Sequence, residues 1–174
     1  RGPCNRPDRM RVLWLYKLQH HFCAVVFFIL ISQVLQFTID YHKTYPIKYS
    51  QEWQYGYKSA VEFANRYYDD VDNIIVSDHL GRPYVYFAFY SKYDPGRFQK
   101  NALFKRDQFF LYNVDGFDKY IFTKNIENTK IDGKNLYLSV PGNLPTNTQS
   151  LKKIYNLKNE PIFEIGITKN VEVY

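Results

Sequence analysis

The residues best placed to do chemistry are Asp78, His79 and Arg82, in the run Asp78-His79-Leu80-Gly81-Arg82-Pro83. They follow Asn73 to Ser77, NIIVS, a short continuous apolar run that predicts a buried strand, one that can pair in parallel. Pro83 stands where a first helical residue belongs. A turn between a strand end and a helix N-terminus is where open α/β sheets bind ligands. Arg82 beside free helical N–H groups favours an anion such as a phosphate, and His79 could donate to a phosphate or sugar oxygen. The same residues also read as plain turn chemistry, with Asp78 capping and Gly81 supplying a positive φ.

Little else in the chain competes for a chemical role. Asp69, Asp70 and Asp72 read as a solvated helix end rather than a metal site. Of the four histidines, His20, His21 and His42 flank an apolar run and only His79 lies beyond it. The two cysteines, Cys4 and Cys23, are badly placed to pair, and they exclude a thiolate metal site. No glycine-rich phosphate loop, zinc-protease helix or nucleophile elbow occurs.

The net charge of +6 invites a nucleic-acid reading, which the charge distribution argues against. Arg1, Arg6, Arg9, Arg11 and Lys17 precede the apolar run, whereas lysines and acids are interspersed beyond residue 40. Lys100, Lys105 and Arg106 are the densest basic group there; Asp107 follows at once, and the group reads as a solvated face.

The elements that must position these residues begin with Phe22 to Phe37, FCAVVFFILISQVLQF, which carries no charge. With its neighbours it gives a span over 21–41, close to the roughly 20 residues a membrane-crossing helix needs. A cleaved signal peptide and a buried core helix are the competing readings. Gln33 and Gln36, one turn apart, favour packing against other transmembrane helices. The basic excess places residues 1–20 on the cytoplasmic side, as a leader, and residues 42–174 outside. Tyr41, Tyr45, Trp53 and Tyr55 suit a membrane interface.

The remainder reads as one domain. At 45% hydrophobic and 19% aromatic the chain is too apolar for disorder, so a packed core is expected. Ser50 is placed to cap a helix through Trp53, Tyr57, Ala60, Val61, Ala64 and Tyr68. Gly56 inside that helix implies a close approach by another element. Residues 83–93 predict a second helix, broken at Asp94-Pro95-Gly96. Asp115-Gly116 predicts the turn of a hairpin between residues 109–114 and 117–123. Residues 136–140 form a further strand, and 151–157 with 162–168 a closing antiparallel pair. The fold class is therefore α/β: an N-terminal transmembrane helix, then a small mixed-sheet extracytoplasmic domain.

Several of these segments carry a resemblance. Tyr45-Pro46-Ile47-Lys48-Tyr49-Ser50 and Trp53-Gln54-Tyr55-Gly56-Tyr57-Lys58, after a last hydrophobic helix, resemble the C-terminal part of bacterial GT-C membrane glycosyltransferases. So do Asp78-His79-Leu80-Gly81-Arg82-Pro83-Tyr84, Phe87 and Tyr93-Asp94-Pro95. The family includes the dolichyl-phosphate-mannose–protein mannosyltransferases and the aminoarabinose transferases, and the likeness covers about residues 22–168. It implies a multi-pass parent in the cell membrane that uses a polyprenyl-phosphate sugar as donor and no nucleotide. The family's catalytic acidic loop has no counterpart here, so no catalytic residue carries over and this stretch is expected to be inactive alone. The leading ten residues match nothing in the family and read as a truncation. No cofactor is implied here; a divalent metal would belong to the rest of the parent. The implied partners are membrane lipid, the lipid-linked sugar and other transmembrane helices. The alternative is a membrane-anchored, non-enzymatic binding or scaffolding module.

Overall fold

A computed structural model describes residues 9–79, 81–106, 110, 112–129 and 131–169. They fall into two compact units, divided between Ile47 and Lys48.

The first unit is one continuous helical rod. Helix α1 spans Arg9–Ile39, Asp40–Thr44 wind as a π-helical turn, and α2 covers Tyr45–Lys48. The leader expected over 1–20 is thus helical from Arg9 onward. Lys17, His20 and His21 do not interrupt it, and each histidine Nδ1 lies 2.7 Å from the carbonyl one turn back, on Tyr16 and Lys17. Apolar residues surround α1 instead of forming a stripe, and none of its residues is buried. Ser32 and Thr38 donate to the carbonyls of Ile29 and Val34, each at 2.7 Å, so these hydroxyls are satisfied without water. At about 1.5 Å per residue the helix is about 46 Å long, more than a hydrocarbon core of about 30 Å. Among the described residues it is the one helix long and apolar enough to cross a membrane.

The second unit is mixed α/β. Its helices are α3 (Tyr57–Arg66), α4 (Pro83–Tyr90) and α5 (Pro95–Asn101). Its main strands are β1 (Asn73–Ser77), β4 (Gly116–Phe117), β5 (Tyr120–Thr123), β6 (Asn135–Ser139), β7 (Thr148–Tyr155) and β8 (Pro161–Thr168). They form a six-stranded sheet in the order β4-β5-β1-β6-β8-β7. β1 is parallel to both β5 and β6, and the outer pairs are antiparallel. A separate two-stranded ladder pairs β2 (Phe104–Arg106) with β3 (Tyr112–Val114).

Burial explains these elements. The central strands β1 and β6 are covered on both faces, which is why NIIVS is continuously apolar. On one face Tyr57, Val61, Ala64 and Phe87, from α3 and α4, close over Ile74, Val76, Leu136 and Leu138. On the other face Ile75 and Tyr137 pack with Ile126, which the short 3-10 turn Ile126–Asn128 supplies.

Three expectations shift. The helix placed from Ser50 begins only at Tyr57; residues 49–56 are turns, Gly56 takes the N-cap position at φ +99°, and Tyr68 lies beyond the helix end. Asp94 starts a helix instead of ending one: α4 stops at Tyr90, and the Asp94 carboxylate accepts from the Arg97 N–H at 2.7 Å and caps α5. The hairpin turn falls at Asp118-Lys119, with Asp118 at φ +50°, rather than at Asp115-Gly116.

Candidate functional site

Asp78, His79 and Arg82 all lie on the turn between β1 and α4, at the C-terminal edge of the parallel strands. Asp78 N–H donates to the Thr123 carbonyl at 3.1 Å, and Gly81 N–H closes the turn onto the Asp78 carbonyl at 3.2 Å. Gly81 sits at φ +101°, so the turn reading of that glycine holds. The N-cap of α4 falls on Arg82 and not on Asp78, and the Arg82 side chain makes no capping bond. His79 and Arg82 are exposed, whereas Asp78 is half-buried.

The turn sits at a break in strand connectivity. The chain leaves β1 toward β5 on one side, while β6 leads to β8 and β7 on the other. Ligands bind beside the strand ends at such a switch point.

Asp78 is the unusual group. Its Oδ1 is buried with no hydrogen-bond partner, as is Oε1 of Gln54. Gln54, at φ +58°, lays its amide against Gly81, within 3.5 Å of where a Cβ would stand. Burial pushes the Asp78 carboxyl above the usual carboxylate range; Lys124 and His79 pull it back without cancelling the shift. A groove of about 860 Å³ opens beside it, lined by Asp78, Lys105, Arg106, Asp115 and Lys124 among others. Sequence reading missed Gln54 and Lys124, which lie far from Asp78 along the chain. The Lys124 position just past the end of the strand expected over 117–123 was the available signal.

Glu164 provides the contrast. The Gly142 N–H donates to its Oε2 at 2.9 Å, the Ser150 hydroxyl to its Oε1 at 2.7 Å, and Lys153 Nζ lies 3.7 Å away. The Gly142 N–H, Ser150 and Lys153 hold its carboxyl below the usual range against burial. A fully bonded carboxylate is a structural brace; one with a buried unbonded oxygen is poised to accept from something else.

The two carboxyls therefore have opposite pH signatures. Glu164, with a depressed folded pKa, stabilises the domain above its unfolded pKa, and that contribution is lost as pH falls through the folded value. Asp78, with a raised folded pKa, carries no penalty below its unfolded pKa. The penalty grows as pH rises from there and is complete above the folded value. Asp78→Asn should accordingly raise the unfolding midpoint at pH 7, and Glu164→Gln should lower it. Both differences should shrink near pH 3. Denaturant titrations at the two pH values check this; an Asp78→Asn variant less stable than the parent at pH 7 would contradict the assignment.

The expected interface aromatics are exposed in their own units. In the first, Phe37, Tyr41 and Tyr45 stack in a ladder with successive centroids 5.9 Å apart. In the second, Trp53 and Tyr55 are exposed on the turns before α3.

No family model, curated protein or solved structure matches the chain. Among the described residues no three His, Cys, Asp or Glu side chains gather in a metal-binding group.

Proposed function

We propose that this chain is the membrane-anchored C-terminal portion of a lipid-linked-sugar glycosyltransferase. In this reading α1 is its last spanning helix, residues 48–174 its extracytoplasmic domain, and the chemistry resides elsewhere in the parent. The observation that carries the proposal is α1 itself: 31 residues, apolar all round, with none buried. A helix of that kind needs lipid or other apolar helices around it.

The position of the strand-end turn supports a role in holding the donor. Residues 48–56, through which the chain comes into the domain from α2, run to the same strand ends: Gln54 lies against Gly81, and Gly56 against Ile154 and Ile162. Asp78, His79 and Arg82 therefore occupy the end of the domain against which residues 54–56 pack. In this role Arg82 takes a phosphate oxygen, and Asp78 with Gln54 accepts from sugar hydroxyls.

The full chain in lipid nanodiscs, titrated with a short polyprenyl-phosphate sugar and read by native mass spectrometry, tests this. Binding tighter than that of phosphatidylglycerol is expected. Arg82→Ala should weaken it roughly 10- to 100-fold, the worth of one charge-assisted hydrogen bond. Equal binding of both lipids, or no effect of Arg82→Ala, would remove the donor-site assignment. Sugar transfer by these residues alone would overturn the placement of the chemistry elsewhere.

A further inference from the structure

The β2–β3 hairpin has a composition at odds with a solvated face. Leu103 is 66% exposed, Phe104 51%, Phe110 78% and Tyr112 55%. Such large side chains, exposed on one short stretch with Phe104 and Tyr112 edge-on at 6.3 Å, mark an interaction surface. Basic groups accompany them. The Arg106 guanidinium lies 4.9 Å over the Tyr112 ring and donates to its hydroxyl at 2.7 Å. Lys105 points to the other side of the ladder, 3.9 Å from Asp115.

Register fixes where the hairpin projects. The Leu103 N–H donates to the Gly116 carbonyl at 2.8 Å, and the Asp115 N–H to the Leu103 carbonyl at 2.9 Å, so the hairpin grows from the base of β4. The Asp115 carbonyl accepts from Phe122 N–H at 2.8 Å, and Phe122 is level with Val76 near the end of β1. Followed backward from Asp115, β3 runs past the C-terminal ends of the parallel strands. Phe110 therefore lies beyond the strand ends where Asp78 and the incoming residues 48–56 also sit.

We propose that this hairpin is a lipid-docking arm. Phe104, Phe110 and Tyr112 enter the headgroup boundary of a bilayer, and Lys105 and Arg106 bind the phosphates of anionic lipids. Aromatic rings with an apolar body and a polar edge suit that depth, and a guanidinium stacked on a ring can keep its charge at the phosphates. Lys105 and Arg106 are drawn to anionic headgroups at short range, the stretch 103–116 as a whole being neutral because Asp107 and Asp115 balance them. The inference rests on the membrane reading of α1, because it takes as partner the lipid surface that helix requires.

Spin labels on the full chain in phosphatidylglycerol-containing vesicles separate the two ideas. Single labels are placed through Phe110→Cys, Phe28→Cys on α1 and Asp132→Cys at the opposite end of the sheet, each with Cys4→Ser and Cys23→Ser. Collision with oxygen, which concentrates in lipid, is compared with collision with a water-soluble nickel chelate. Labels at 28 and 110 should favour oxygen and the label at 132 the chelate. In pure phosphatidylcholine, or with Lys105→Glu and Arg106→Glu together, the preference at 110 should reverse while that at 28 stands. A label at 28 that favours the chelate overturns the membrane reading, and this inference with it. A label at 28 in lipid with one at 110 favouring the chelate overturns the arm alone. A label at 110 shielded from both reagents shows a protein partner and equally overturns it.

Discussion

Phe87→Ala is expected to destabilise the domain by about 3–5 kcal/mol, the usual cost of emptying a buried phenylalanine site. Phe87 is fully buried and is the side chain by which α4 locks onto β5, edge-on to Tyr120 at 5.2 Å and to Phe122 at 5.9 Å. Truncation removes both ring contacts and leaves a void under a short helix whose other fully buried residue is Pro83, its remaining core contacts being the partly buried Tyr84, Tyr86, Ala88 and Tyr90. Against a total of about 5–15 kcal/mol for a domain, this is a large fraction. Far-UV circular dichroism would be dominated by α1, so amide exchange at Ile74–Val76 is the better readout. Exchange there should speed up by roughly two to three and a half decades, given one decade per 1.4 kcal/mol. Phe87→Leu, which keeps most of the volume, should cost less than about 1.5 kcal/mol. Acceleration under about tenfold for Phe87→Ala would show that α4 is not held by this contact.

Gly56→Ala is expected to cost about 2–4 kcal/mol through two separable effects. Gly56 has φ +99° at the start of α3, where an L-residue pays about 1–2 kcal/mol in steric strain. Its missing Cβ would also press on Ile162 Cδ1 and come within 3.3 Å of Ile154 Cγ2. The Ile162 methyl is the free end of a side chain and can swing, but Ile162 is itself buried, so the movement displaces neighbours. Ile162→Val shortens that end. Combined with Gly56→Ala it should recover the steric part and leave the backbone part, a coupling measurable in a double-mutant cycle by urea unfolding. Gly56→Asn should lose less to backbone strain than Gly56→Ala, because Asn tolerates the left-handed region. If all three replacements matched the parent, neither φ nor the approach of Ile162 would constrain the site.

Some elements were legible from local chemistry alone. The β-branched run of β1, Pro83 at the first turn of α4 and the closing pair β7–β8 each follow a pattern that burial leaves intact. The hairpin shows how such a pattern fails. Asp115-Gly116 has the strongest local turn signature, yet Gly116 and Phe117 are buried and pair with Ile121 and Tyr120. The turn instead forms at Asp118-Lys119, where distant groups hold it. Lys119 Nζ donates to the carbonyls of Tyr68 and Val71 at 2.9 and 3.0 Å, and the Tyr68 hydroxyl donates to Asp118 at 2.7 Å. Burying Phe117 and satisfying the carbonyls of the segment between α3 and β1 outweigh the turn preference of one dipeptide.

The candidate site divides the same way. Its own turn could be read from Asp78 to Pro83, because strand end, glycine and proline are consecutive in the chain. That Gln54 packs on Gly81 of this turn and that Lys124 acts on Asp78 depended on residues 48–56 folding back to the strand ends and on β5 lying parallel to β1. By itself the sequence determined the long apolar helix, the mixed α/β class and the strand–turn–helix that carries Asp78, His79 and Arg82. These rest on hydrophobic period, proline and glycine, which act within a few residues. Only the tertiary structure decided the strand order, the place of the hairpin turn, the outward reach of Phe110 and the buried, unbonded oxygen of Asp78. Each of those depends on which distant segment wins the burial of a shared surface, and no local pattern encodes that competition.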